Sequence, residues 1–524
     1  MHSTLHERLN SLAHSRTDHT ALIEPERKAS FGQLAVEVKR LAGYFAHRGI
    51  KAGDRVALWL PNSIEWVSAF LALSHIGAIT LSVNTRFRAH ELQDLIDRGQ
   101  ASGLVYWPGF KGIDFDGMLA QISPASRANI KATITLPELR QACQRDWPDV
   151  PAHDDHPTLT FSTSGTTSLP KFVLHSQSVI IRHADAVAQA LRYNESTCVL
   201  ASAPFCGAFG FATLISGLLT GHTVACEPVS TPDSLLALVR QHKVTHTYAN
   251  NALILQMLQA STDRSDFASC QLFGFASFAP AQHELFDLAQ HNGLALTGLY
   301  GSSELMALTA AQPIDPAEGD TSVRHEPGGR LLHEQARVRA RDPETGHLLP
   351  MGQSGEIEIF TPSHMVGYLD QSHATQEAFT PDGYFKTSDL GWCVSDRQFV
   401  FQARMGDALR LGGFLVNPAE IESFVETLPG VAACQVVAVD HQGKAVPVAF
   451  VVPVQPTAGA SQTEPEPSPP AWQQACKQAL ASYKVPVHFE VLEAFPMIQS
   501  ANSAKVQKNK LRDMARERLG SQHA

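Results

Sequence analysis

Between Thr160 and Lys171 the chain reads Thr-Phe-Ser-Thr-Ser-Gly-Thr-Thr-Ser-Leu-Pro-Lys, with hydroxyl side chains crowded around one glycine and a lysine at the end. Small residues let successive backbone N–H groups face a single anion, and hydroxyls add further donors. Lys171 would bring a compact positive charge to a phosphate. The phosphate candidates are Ser162, Thr163, Ser164, Gly165, Thr166, Thr167 and Lys171. This is not a Walker A loop, because GxxxxGK[ST] is absent. Composition alone allows a Ser/Thr-rich surface turn equally well.

Four later segments carry groups that suit the same task. Leu299-Tyr-Gly-Ser-Ser-Glu304 ends in a carboxylate. A hard divalent cation prefers such an oxygen and usually keeps substrate phosphates as co-ligands. Gly383 to Gly391 contains Asp389, whose ionised carboxylate can accept hydrogen bonds from hydroxyls. Ala403 to Glu422 contains Arg404, Gly406, Gly412 and Gly413, and Phe495 to Lys510 contains Lys505. Each segment also has an ordinary reading on its own. These are a turn with a solvated glutamate, a turn capped by aspartate, a loop–strand–helix, and a basic tail. In that tail Lys508 and Lys510 read as solvated charges.

Taken together, in this order, the five segments resemble the motifs of the acyl-adenylate-forming superfamily. That superfamily includes acyl-CoA synthetases, luciferases and the adenylation domains of peptide synthetases, and the pattern is most similar to the acyl-CoA synthetase branch. The opening stretches Ala29–Leu34 and Gly53–Leu58 also look like the family's beginning, so the resemblance covers nearly the whole chain. The chain departs from the usual motifs at several points. Ser168, Ser388 and Ala504 stand where the family has Gly. Gly406 stands where its hinge has Asp or Lys, and Gly207 where many relatives have His.

The resemblance implies an ATP-dependent acid–CoA ligase. A substrate carboxylate would attack the α-phosphorus of ATP, pyrophosphate would leave, and the thiol of coenzyme A would then take the acyl group. Charge builds on phosphoryl oxygens, so catalysis is positioning plus electrostatics. By resemblance, Lys505, Glu304 and Ser303 are catalytic, with Glu304 on Mg2+ through ATP and Ser303 at the α-phosphate. Ala276, Ser277, Tyr300, Gly301, Ser302, Asp389 and Arg404 would surround adenine and ribose, Tyr300 by stacking. Gly207, Phe209, Asn250, Phe275 and Met306 would line the acyl pocket. Gly412 and Gly413 would approach CoA, and Gly406 would be the hinge. The implied small molecules are ATP, Mg2+, CoA and a carboxylic acid. The pocket segments hold no Lys or Arg placed for a second carboxylate, so a medium-sized monocarboxylic acid is expected. Two alternatives stay open: loading of a carrier-protein phosphopantetheine, and a non-catalytic nucleotide- or acyl-binding relative.

The elements that must position these groups alternate. Arg55–Leu60 reads as a strand, Asn62 as the cap of a helix with Glu65 three residues later, Ala78–Val83 as a strand and Ala89–Arg98 as a helix. Such alternation implies an α/β fold with largely parallel sheets. The apolar run from Trp59 to Val83 is broken by Pro61, Asn62, Glu65 and His75, so it reads as core rather than a membrane span. Gly355–Phe360 opens a β-rich stretch. Near residue 400 the character changes to a compact unit with a helix at Pro418–Thr427 and strands at Ala433–Val439 and Ala445–Val454. Residues 455–470, rich in Pro, Ser and Glu, read as a surface loop. The expected fold class is α/β. A large N-terminal domain of parallel-sheet α/β subdomains plus a β-rich subdomain (1–403) leads through a hinge (404–407) to a small mobile α+β C-terminal domain (408–524).

Composition excludes some partners. With 524 residues, 44% hydrophobic, 18% charged and a formal net charge of -10, the chain is an ordinary globular protein without general affinity for nucleic acid or anionic membrane. Its 8 Cys form no CxxC pair, its 24 His include no HExxH, and the N-terminus lacks an apolar signal core. These features point to reduced thiols and a cytoplasmic location. Oligomeric state stays open, with a homodimer among the options.

Overall fold

The computed structural model describes residues 4–163, 171–276, 283–314, 327–405, 409–411, 414–416, 418–441, 444–454, 468–480, 482–499 and 504–521. Two sheets dominate the larger part. In a seven-stranded sheet, Arg55–Trp59 lies between Ile79–Ser82 and Gly103–Tyr106, all parallel. Pro157–Thr163 adds in parallel beside Ile79–Ser82, and Lys171–Ser176 turns back antiparallel on it. The second sheet has thirteen strands. Its parallel half includes Cys198–Leu200, His246–Asn250, Leu272–Ala276 and Leu296–Tyr300. From Ala310 onward it becomes antiparallel through Gly328–Leu331, Gln398–Arg404, Phe385–Ser395, Gly355–Phe360 and Arg337–Arg341. The β-rich stretch is therefore continuous with the second α/β sheet.

Strand alternation sends side chains to two helical layers on each sheet. Val56 and Leu58 face a central core shared with helices Phe31–His47, Ile64–His75, Gln177–Ala190 and Ala208–Leu218. Ala57 and Trp59, their neighbours in sequence, face helices Ala89–Gly99 and Phe115–Gln121. On the second sheet Leu272 joins the central core. Phe273 and Phe275 face helices Pro232–His242, Asn251–Ala260 and His283–His291 instead. The result is five layers, α/β/α/β/α. Helix Ile64–His75 is buried at every position, which explains its mostly apolar sequence.

Two local expectations are corrected. The cap of that helix is Ser63, whose hydroxyl accepts from Trp66 N–H at 3.1 Å. Asn62 instead bridges to the next layer, donating to Ala203 O at 2.9 Å and accepting from Phe205 N–H at 2.8 Å. Residues 455–467 lie outside the described residues, but the proline-rich run ends in structure. Ser468 precedes helix Pro469–Ala479, and the two prolines fill its first turn, where no backbone donor is needed.

The C-terminal unit has its own core. Antiparallel strands Val431–His441 and Lys444–Pro453, with His488–Val491 parallel to the second, pack against helices Pro418–Glu426, Pro469–Ala479 and Lys508–Ser521. Among the described residues no helix is long and apolar enough to cross a membrane.

Candidate functional site

The hydroxyl-rich segment links two adjacent strands. Thr163 lies directly opposite Lys171 across an antiparallel pair, and half-buried Ser162 lies opposite Phe172. The chain therefore reverses between them, as a phosphate-gripping turn requires. Ser164, Gly165, Thr166, Thr167 and Ser168 lie outside the described residues. The Lys171 ammonium lies 4.6 Å from the ring centre of Tyr368. The Tyr368 hydroxyl in turn donates to Glu304 Oε1 at 3.1 Å. Lys171 and Glu304, far apart in sequence, thus flank one phenol. Neither Tyr368 nor its role was readable locally, since nothing in Val366-Gly-Tyr-Leu-Asp370 is a chemical pattern.

Glu304 sits in a short 3-10 turn, Ser303–Leu305, after strand Leu296–Tyr300. That turn is held from several sides. His175 Nε2 lies 2.8 Å from Ser303 O, and Met365 N–H donates to Glu304 O at 2.7 Å. A carbonyl can only accept, so Nε2 carries the His175 proton. Burial lowers His175 to about 4, so the ring stays neutral. His183 is likewise lowered to about 3 by burial. The next three residues, Met306, Ala307 and Leu308, have φ of 63°, 51° and 38°. Non-glycine residues in this region each cost about 1–2 kcal/mol. Gly301 makes the arrangement possible: a Cβ there would lie 2.7 Å from Ala307 Cα and 2.8 Å from Leu308 N. His175 was missed in the sequence because its partner is 128 residues away.

Three predicted ribose and adenine residues meet. Asp389 lies opposite Arg404 in paired strands and is buried. Its Oδ2 accepts from the Tyr300 hydroxyl at 2.5 Å, and Arg404 Nε stands 3.0 Å from Oδ1. That second contact is an ion pair without a formed hydrogen bond, so Oδ1 keeps unmet acceptor capacity. Burial raises the Asp389 carboxyl, and Arg404 and Tyr300 oppose the shift. The Tyr300 ring packs edge-on against Phe399. Ser302 is half-buried with its hydroxyl unpartnered, and Ser277 lies outside the described residues. Ser388, in a position the family gives to Gly, has φ of 56°.

The acyl candidates divide. Gly207 precedes helix Ala208–Leu218, and Phe209 and Met306 join the central core, with Ala276 packed against it. Phe275 faces the outer layer beside Phe286, on the opposite side of its strand from Ala276. It therefore does not share a wall with Phe209 and Met306. Asn250 caps helix Asn251–Ala260, its side chain accepting from Leu253 N–H at 2.9 Å.

In the C-terminal unit, the Lys505 backbone lies in strand Ala504–Val506 opposite Ile498, and its side chain lies outside the described residues. Gly406, Gly412 and Gly413 also lie outside them. Lys508 is no solvated charge: its ammonium reaches the buried Glu422 carboxylate at 3.4 Å.

The donor set suits the expected small molecules. A half-buried carboxylate fixed through one oxygen fits Mg2+. A buried Asp oxygen lacking a donor fits a ribose hydroxyl. The comparisons agree. Residues 10–369 match the family model described as AMP-binding enzyme, and 420–502 match the AMP-binding enzyme C-terminal domain. The chain is 28% identical to 4-coumarate–CoA ligase 5 of Oryza sativa subsp. japonica, over 86% of this chain and 85% of that one. It is 26% identical to the mitochondrial medium-chain acyl-CoA ligase ACSF2 of Danio rerio, over 99% and 89% respectively. Among solved structures, ATP-bound MatB from Rhodopseudomonas palustris superposes with a TM-score of 0.84 at 25% identity, covering 99% of this chain and 100% of that one.

Proposed function

Because the chain belongs to the AMP-binding enzyme family, we propose that it is an ATP-dependent acid–CoA ligase that forms an acyl-adenylate and then an acyl-CoA, releasing AMP and pyrophosphate. The observation that carries this reading is the nearness of two clusters: Lys171 and Glu304 flank Tyr368, and Asp389, paired with Arg404, lies close enough to Glu304 to feel its charge. The relatives named as CoA ligases support the acceptor.

In this reading Asp389, oriented by Tyr300 and Arg404, accepts from the ribose and fixes the nucleotide. The hydroxyl-rich turn and Lys171 grip its phosphates. Mg2+ held by Glu304 would neutralise phosphoryl charge as pyrophosphate leaves. Lys505, brought by the C-terminal unit turning about Gly406, attracts both the acid and the α-phosphate. The unit then turns again to admit the thiol near Gly412 and Gly413, while closure keeps water from the adenylate. Gly207, Phe209 and Met306 form the acyl wall, suited to an apolar monocarboxylic acid of medium size. Eight free thiols suit a reducing compartment, and the cytoplasm is the proposed location.

The test is pyrophosphate release over a panel of carboxylic acids, with and without CoA. A CoA-dependent thioester product from one class of acid supports the proposal. Adenylate formation with transfer only to a phosphopantetheinyl carrier protein would reassign the acceptor. ATP binding with no turnover on any acid would remove the enzyme reading.

A further inference from the structure

Lys171 and Glu304 carry opposite charges and approach the same aromatic ring. Oppositely charged groups in a partly shielded cleft attract by several kcal/mol at 4 Å. Paired directly, each would satisfy the other, and both would have to be prised apart before a metal–nucleotide could enter. Among the described residues Glu304 does not pair with Lys171; it accepts from the Tyr368 hydroxyl, while the ammonium lies near the ring centre. A phenol can do both at once, since its ring face attracts a cation and its hydroxyl donates to an anion.

Tyr368 is itself tightly placed. It belongs to strand Gly367–Tyr368, which pairs antiparallel with Lys171–Ser176, setting Tyr368 opposite Val173 and Gly367 opposite Leu174. Its backbone N–H donates to Thr375 Oγ1 at 2.8 Å. At Gly367 a Cβ would lie 2.9 Å from Thr375 Cγ2, so helix Ser372–Ala378 can close over the strand only because that residue is glycine. The ring is buried among Val173, Leu305 and Met365. Glu304 is equally constrained by Met365 N–H and, through Ser303, by His175.

We propose that Tyr368 is a positioning residue that holds the Glu304 carboxylate for the metal and the Lys171 ammonium for the phosphates while keeping the two from neutralising each other. The proposal rests on the reading of Glu304 and Lys171 given above.

The test measures ATP binding to the full chain by calorimetry, with and without Mg2+, and so needs no knowledge of the acid. Tyr368→Phe keeps the ring and removes the hydroxyl. It is expected to leave metal-free ATP affinity within twofold of wild type and to cut the tightening produced by Mg2+ by about 3- to 10-fold, the worth of one hydrogen bond. Tyr368→Leu removes the ring as well, and is expected to weaken metal-free ATP binding in addition; Tyr368→Met replaces it if Leu does not fold. A purely structural role would instead lower both affinities together in Tyr368→Phe. Glu304→Gln serves as the control and should abolish most of the Mg2+ effect. Loss in Glu304→Gln with an unchanged Mg2+ effect in Tyr368→Phe overturns the role of Tyr368 alone. An unchanged Mg2+ effect in Glu304→Gln overturns the metal reading, and the proposal with it.

Discussion

Glu24 gives the sharpest stability prediction. Its carboxyl is buried at the start of helix Ile64–His75, accepting from Ile64 N–H at 2.6 Å. Burial and then the Glu65 charge raise it from 4.5 to about 7, against the pull of Ile64 N–H, Arg27 and Arg140. Glu65 keeps both arginines, each 2.8 Å from its Oε1. The folded chain therefore holds a proton on Glu24 that the unfolded chain releases near 4.5. Where the folded state binds more protons, stability falls as pH rises. A rise of about 2.5 at about 1.4 kcal/mol each gives a loss of about 3.5 kcal/mol between pH 4.5 and pH 7. Buried histidines work in the other direction. His175 and His246 are lowered to about 4 and His183 to about 3, chiefly by burial. Their unfolded forms take up protons below about 6.5, so they remove stability as pH falls through that value. The wild-type profile is a sum of opposed slopes, and only a difference isolates Glu24. Glu24→Gln keeps an acceptor for Ile64 N–H and cannot ionise. Urea unfolding followed by tryptophan fluorescence from pH 4.5 to 8 should show Glu24→Gln more stable than wild type above pH 7 by up to about 3.5 kcal/mol, converging with it below pH 5. A difference that does not vary with pH would refute the reasoning.

Three further outcomes follow from the site. Lys505→Ala should abolish adenylate formation, read as pyrophosphate exchange, yet largely spare thioester formation from supplied acyl-adenylate; equal loss in both assays removes the assigned role. Ser388→Gly should raise stability by about 0.5–1 kcal/mol, because a φ of 56° strains Ser more than Gly loses in entropy, and a lower thermal midpoint would contradict this. Gly301→Ala places a Cβ 2.7 Å from Ala307 Cα, so it should cost about 1–3 kcal/mol in thermal unfolding and weaken Mg-dependent ATP binding by shifting the Glu304 turn.

What could be read from sequence, and what could not, divides by the range of the interaction. The strand Arg55–Trp59, helix Ala89–Gly99 and strand Gly355–Phe360 follow from local periodicity, and they stand where the pattern put them. Tyr300, Asp389 and Arg404 are singled out by the resemblance, each in its own short motif, but their contact with one another shows only in the fold. Side-chain direction is less local. The resemblance groups Phe275 with Phe209, but a strand turns alternate residues to opposite faces, and its neighbour Ala276 is the one on the central side. Capping is decided by one residue of register: Asn62 and Ser63 are both good caps, and Asn62 is drawn away by the 203–205 backbone. The residues that hold the Ser303–Leu305 turn in place lie furthest from local signal. His175 and Tyr368 act on partners 128 and 64 residues away, through a carbonyl and a carboxylate that any donor of the right reach could serve. No motif is needed for such contacts, only a fold that brings a strand end beside a strained turn. Chemistry therefore shows in sequence where one segment supplies several groups to one ligand. It is hidden where a single side chain positions another across the fold.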